Sequence, residues 1–152
     1  MAEPLTWRAL QHIVERLEQI TVANGFYSDL GASDVTLDTG RQPDSGSRMT
    51  LVAATDVEVV DESSGRRTTS SRMGVIVEYY APFDAGVNPE LLAHRARADI
   101  VEVLRTDVRG APDGVRGIRV TGSLIGSPEE AAGLVIAQVT AEVDLTETTA
   151  TA

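Results

Sequence analysis

The chain has 152 residues, 42% of them hydrophobic and none of them cysteine, and its 13 basic and 23 acidic residues leave a net charge of −10. That length and apolar content fit one domain with a sizeable core, and the missing cysteines remove disulfides, thiolate nucleophiles and thiolate metal sites. Every basic residue is arginine, and the acidic excess argues against a duplex-binding surface, which needs clustered cations to displace condensed counterions.

No apolar run reaches the roughly 20 residues of a membrane span, and no charged leader precedes an apolar stretch, so the protein is expected to fold and stay in the cytosol in which it is made. From Leu5 to Val22 the residues LTWRALQHIVERLEQITV read as an amphipathic helix. Leu10, Ile13, Val14, Leu17 and Ile20 recur on one side, while Arg8, Gln11, Glu15, Arg16 and Glu18 fill the rest. Pro4 suits the first turn, and Asn24-Gly25 stops the helix. Phe26, Tyr27 and Leu30 then anchor the connection, and Val35 to Leu37 forms a short edge strand. Asp38 to Arg48, DTGRQPDSGSR, is an exposed loop.

From Met49 to Val60 the period becomes two. Simple alternation puts Leu51, Ala53, Val57 and Val59 on the buried face and Thr50, Asp56 and Glu58 on the wet one. Paired acids such as Asp56 and Glu58 can bind a metal or exchange protons, but no histidine or third acid stands at a telling spacing. Asp61 to Ser71 is polar and carries Arg66-Arg67, a cationic pair in an acidic protein. A second strand follows from Arg72 to Ala81, with Met73, Val75, Val77 and Tyr79 alternating against Arg72, Gly74 and Glu78. The two strands make an antiparallel hairpin whose tip is longer than a turn requires.

Tyr80 to Val87 turns into Asn88-Pro89-Glu90, a helix start with cap, first-turn proline and first-turn acid. The second helix runs to about Thr106, burying Leu92, Ala96, Ile100, Val103 and Leu104. Glu90 with His94 and Arg95 with Asp99 stand four apart as surface pairs, and both His12 and His94 are read as surface residues. Val108 to Gly117 is a turn-rich loop without the phosphate-binding pattern. Ile118 to Ile125, with Ile118, Val120 and Leu124 inward, and Leu134 to Leu145 form a second hairpin. Thr146 to Ala152 is a flexible tail beyond a single domain of residues 1–145.

The expected fold is α+β: an antiparallel sheet of about four strands from two hairpins, with two helices packed on one face. The other face carries Asp56, Glu58, Glu78, Gln138, Thr140 and Glu142. Ile76, Tyr80, Leu134 and Ile136 interrupt it, as residues of a subunit contact would.

The run ITVANGFYSDLG, Ile20 to Gly31, at the end of a first helix resembles the tail terminator family of long-tailed bacteriophages, with neck and tail-completion proteins as near relatives. The resemblance implies a structural virion protein without catalysis, cofactor or metal, located at the head-tail junction. It further implies a homo-hexameric ring that caps the tail tube, stops its elongation and offers its far side to the neck or connector. DNA would pass through an acidic lumen without specific binding, and no membrane is involved. Candidate interaction residues are Arg66 and Arg67 on the hairpin arm and Asp56, Glu58, Glu78 and Tyr80 on the open face. Two alternatives stay open: a neck or head-tail completion protein, and a cytosolic small-molecule-binding α+β domain or small enzyme.

Overall fold

The computed structural model describes residues 3–40, 48–63, 68–82, 86–105, 110–126 and 134–148. The three- and four-residue apolar spacing yields helix α1, Leu5–Leu17, which buries Leu5, Ala9, Leu10, Ile13 and Leu17. The helix stops five residues short of the predicted Val22 because three successive β-branched residues, Ile20, Thr21 and Val22, follow it and local hydrogen bonds compete. Thr21 is extended, with φ −139°, and caps a short 3₁₀ turn, Val22–Asn24. Asn24 donates its side-chain amide back to the Gln19 carbonyl at 2.8 Å. Ile20 is nevertheless fully buried, carried inward by the turn rather than by the helix.

A second 3₁₀ turn, Leu30–Ala32, leads to strand β1, Asp34–Thr36; then come β2, Met49–Ser63, β3, Thr68–Pro82, helix α2, Pro89–Arg105, β4, Val115–Ile125, and β5, Leu134–Thr148. The sheet has five strands in the order β1-β2-β3-β5-β4. Instead of about four purely antiparallel strands it is mixed, because β1 joins β2 in parallel. The two hairpins adjoin through β3 and β5, and both helices cover one face. Period-two burial is clean on the two central strands, where Met73, Val75, Val77 and Tyr79 of β3 oppose Ala137, Val139, Ala141 and Val143 of β5. The hydrophobic core sits between that face and the helices.

Simple alternation fails on the two outer long strands, for one physical reason. A β-bulge inserts an unpaired residue and reverses which face the following residues take. On β2 the register shifts between Ala54 and Asp56 and again between Val59 and Asp61. Leu51 and Ala53 therefore share the open face with Asp56 and Glu58, whereas Thr50 and Val52 are the buried residues. Val57 and Val59 do face the helix side, but beyond the helices, so both are exposed. On β4 a shift between Val120 and Gly122 turns Leu124, predicted inward, onto the open face opposite Gln138.

Four further expectations are corrected. The strands of the first hairpin extend to Ser63 and from Thr68, so most of the predicted loop is ladder. Strand β5 runs to Thr148, and Thr146 donates to the Gly114 carbonyl at 2.8 Å, so the first part of the predicted tail is sheet. His12 is buried on α1 rather than exposed. Asp99 is buried too, and pairs with backbone rather than with Arg95. Glu90 and His94 do meet, at 3.1 Å.

Candidate assembly interface

The run Ile20 to Gly31 is held almost residue by residue. Ile20 and Leu30 are fully buried. Thr21 Oγ1 accepts from the Asn24 N–H at 3.2 Å, and Asp29 Oδ1 accepts from the Val22 N–H at 2.8 Å. Gly25 adopts φ 94°, a left-handed value that favours glycine. At Gly31 a Cβ would meet the Leu17 carbonyl oxygen at 2.6 Å, so only glycine lets the loop lie against the end of α1.

The partner of this loop comes from α2. Asp99 accepts the Tyr27 N–H at 3.0 Å on one oxygen, and the Ser28 N–H at 2.9 Å and hydroxyl at 2.6 Å on the other. A buried carboxylate needs such donors, and a loop with unpaired N–H groups needs such a carboxylate. The result is a rigid platform from which Tyr27 projects its ring, 68% exposed. Sequence reading missed Asp99 because it looks like another acid on a charged helix, 71 residues from its partner Ser28.

The open face of the sheet is graded along the strands. At one end Tyr80 stands in register with Ile136, and Ile76 with Ala53. At the other end Asp56 and Glu58 of β2, Arg72 of β3, Glu142 and Asp144 of β5 and Arg119 of β4 form a charged lattice. Arg72 Nε lies 3.4 Å from both Glu142 and Asp144, and Arg119 also pairs with Glu142. Between the two ends the Tyr80 hydroxyl donates to Glu78. Burial, and then this bond to an anion, push the Tyr80 pKa up to about 12.

The structure thus brings Asp56, Glu58, Glu78 and Tyr80 onto one face, as expected. Asp56 sits at the first bulge and accepts from the Thr55 hydroxyl at 3.0 Å. The strands of the arm end at Ser63 and Thr68, and Arg66 and Arg67 lie outside the described residues. Among the described residues no group of three or more histidines and acids could hold a metal ion, and no helix is long and apolar enough to cross a membrane. One open depression, of about 530 Å³, lies under the Tyr27 loop between Phe26, Ala98, Asp99 and Glu102. Its carboxylate, Asp99, is already engaged by the loop.

Comparison with solved structures adds a fold relationship. A chain of the virion of a native gene transfer agent particle superposes with a TM-score of 0.61 at 16% sequence identity, over 96% of this chain and 100% of that one. A chain described as the sheath/tube terminator of an extracellular contractile injection system in its extended state aligns at a TM-score of 0.40 and 11% identity, over 100% of this chain and 60% of that one, and carries no argument at that level. No family model and no curated protein matches the chain.

Proposed function

We propose that this chain is a structural subunit of a phage-like tail, a terminator-like protein that assembles into a hexameric ring, caps the tail tube, stops its growth and presents its far side to the neck. The observation that carries the reading is the end-to-end fold match to a virion chain, read together with the Ile20 to Gly31 platform. Each segment of the resembling run has a defined place in that platform.

The chemistry required is recognition rather than catalysis. A cyclic ring repeats one head-to-tail contact, so each subunit needs two different complementary surfaces, each contact burying roughly 1,600 Å² in total. The open sheet face, with acids Asp56, Glu58, Glu78, Glu142 and Asp144 against Arg72 and Arg119, has net negative charge. Turned to a lumen it would repel phosphate and let DNA slide without sticking. Tyr27 and Tyr80 are anchors for neighbouring tail and neck proteins, because aromatic side chains dominate interface energetics. Arg66 and Arg67 at the arm tip are docking cations for an acidic neighbour.

The test is to add purified protein to polymerising cognate tube protein. Tubes of fixed end and length, with the protein at one terminus in six copies, support the reading. Tubes that keep growing, with no protein at their ends, remove it. Exchanging Arg66 and Arg67 for glutamate tests the arm separately, and unchanged capping would dismiss those two residues alone.

A further inference from the structure

The two margins of the sheet differ in a way that points to each other. On one side β1 pairs with β2 only at Met49, Thr50 and Leu51, and among the described residues no strand covers β2 from Val52 to Ser63. This stretch is an open row of backbone donors and acceptors, the ready template that native proteins ordinarily blunt or cover. It also exposes three valines, Val57 at 52%, Val59 at 59% and Val60 at 53%. Exposed Asp56, Glu58 and Asp61 stand among them. Apolar residues ringed by charge of one sign on an uncovered strand mark a contact surface.

On the other side β4 is the last strand, and it exposes Leu124 at 62%. Its exposed charges are Arg116 and Arg119, with no acid between Val115 and Ile125. The adjoining helix α2 adds no net charge there, its exposed Arg95 and Arg105 being offset by exposed Glu90 and Glu102. In a chain of net charge −10 this margin is locally cationic. The two margins also match in shape. The extra residues of the bulges are Thr55 and Val60 on β2 and Arg116 and Thr121 on β4, five positions apart on each strand. Bulges raise local twist, so both margins are twisted at the same interval.

We infer that the uncovered margin of β2 docks on the β4 margin of a second copy of this chain, the acids of one meeting the arginines of the other on the open face and Val57 and Val59 meeting Ile118 and Val120 on the helix side. This is strand addition between copies. Because the two margins are different surfaces on opposite sides of one sheet, the contact is heterologous, and its repetition closes a ring or runs on as a filament. The inference rests on the ring reading above and names the surfaces that build the ring. Charge complementarity selects the second copy over an unrelated partner, since both halves of the match are present on every subunit.

The test uses charge exchange. Asp56→Arg with Asp61→Arg makes both margins cationic; Arg116→Glu with Leu124→Glu makes both acidic. All four positions are exposed. Sedimentation at high concentration should show wild type associating and each variant alone staying monomeric, with thermal unfolding unchanged. An equimolar mixture should return species of wild-type size, because alternating copies restore every contact. An isologous dimer would not behave so. Either variant assembling as well as wild type, or a mixture that stays monomeric while wild type assembles, overturns the inference and leaves the ring reading standing. Where wild type is monomeric in solution, the variants are compared on polymerising cognate tubes: either variant alone capping as wild type does overturns the inference, and failure of wild type to cap overturns the ring reading.

A second measurement covers variants that fail to fold. Glu58→Cys with Leu124→Cys in one chain, both on the open face, treated with a bismaleimide, should give a ladder of linked oligomers. The natural chain has no cysteine to confuse it. A ladder no stronger than that from Tyr27→Cys with Leu124→Cys refutes the pairing.

Discussion

Removing the carboxylate of Asp99 should loosen the Tyr27 loop without touching the sheet. Three donors lose their acceptor in Asp99→Ala, the Tyr27 N–H, the Ser28 N–H and the Ser28 hydroxyl, at 3.0, 2.9 and 2.6 Å. Hydrogen bonds to a charged acceptor each contribute about 1.5–3 kcal/mol, and a donor left without a partner costs more the less water reaches it. These three are only part-buried, so water recovers some of the loss and the net cost should be about 3 kcal/mol. For a domain of this size each kcal/mol lowers Tm by about 2–4 °C, so the fall should be about 6–12 °C. Asp99→Asn keeps the shape and one acceptor oxygen, and should lose about half as much. Urea and thermal unfolding measure both. Hydrogen exchange should show the Tyr27 and Ser28 amides losing protection. An Asp99→Ala protein within about 0.5 kcal/mol of wild type, with those amides still protected, would refute the platform.

Gly31→Ala should cost about 2–3 kcal/mol, because its Cβ meets backbone at Leu17 that cannot swing aside; denaturant midpoints report it. Gly74→Ala should cost about 1–2 kcal/mol, since the new Cβ strikes only the Thr55 and Asp56 side chains, which can rotate; comparison of the two midpoints gives the ranking. His12 has its pKa lowered by burial first and Arg16 second, so the folded state holds it neutral. Its contribution is therefore complete above the unfolded value near 6.5 and is lost as pH falls below that. His12→Gln should flatten stability between about pH 7 and 5 in thermal scans. Tyr80 works in the opposite sense. Its folded pKa of about 12 against an ordinary 10 means stability is complete below pH 10 and declines as pH rises toward 12. A tyrosinate absorbance step near pH 12 that disappears in Tyr80→Phe checks it.

The parts of the fold visible in the sequence are those where a period repeats without interruption. Ala96, Ile100, Val103 and Leu104 placed α2 correctly because helical spacing over 17 residues leaves few alternatives. Strands β3 and β5 followed their alternation. What escaped were single inserted residues. Thr55 and Thr121 have no signature that separates a bulge residue from an ordinary strand residue, yet each reverses the face of all that follows. That is why Leu51, Ala53 and Leu124 were expected inside and stand on the open face, whereas Val57 and Val59 do face the helix side and are exposed because they lie beyond the helices.

The candidate site was readable where it is local. The Ile20 to Gly31 run announced itself through Asn24-Gly25 and its acid-glycine ending, and its hydrogen bonds are mostly short in sequence separation. Asp99 was not readable, because nothing in a helical acid tells that its partner is a loop far back in the chain. His12 escaped for a related reason. Its neighbours Gln11 and Glu15 are exposed, and only the docked position of α1 turns the imidazole inward.

The reach of the β2–β3 arm also has a mechanical meaning. Fifteen residues at about 3.3 Å each make β3 about 50 Å long, and β5 accompanies it in unbroken register from Pro82 opposite Leu134 to Thr68 opposite Thr148. Three parallel rails of hydrogen-bonded backbone resist flexing far better than a lone ribbon does. A load applied at the far end would therefore pass along the strands toward the helical layer instead of folding the arm at a hinge.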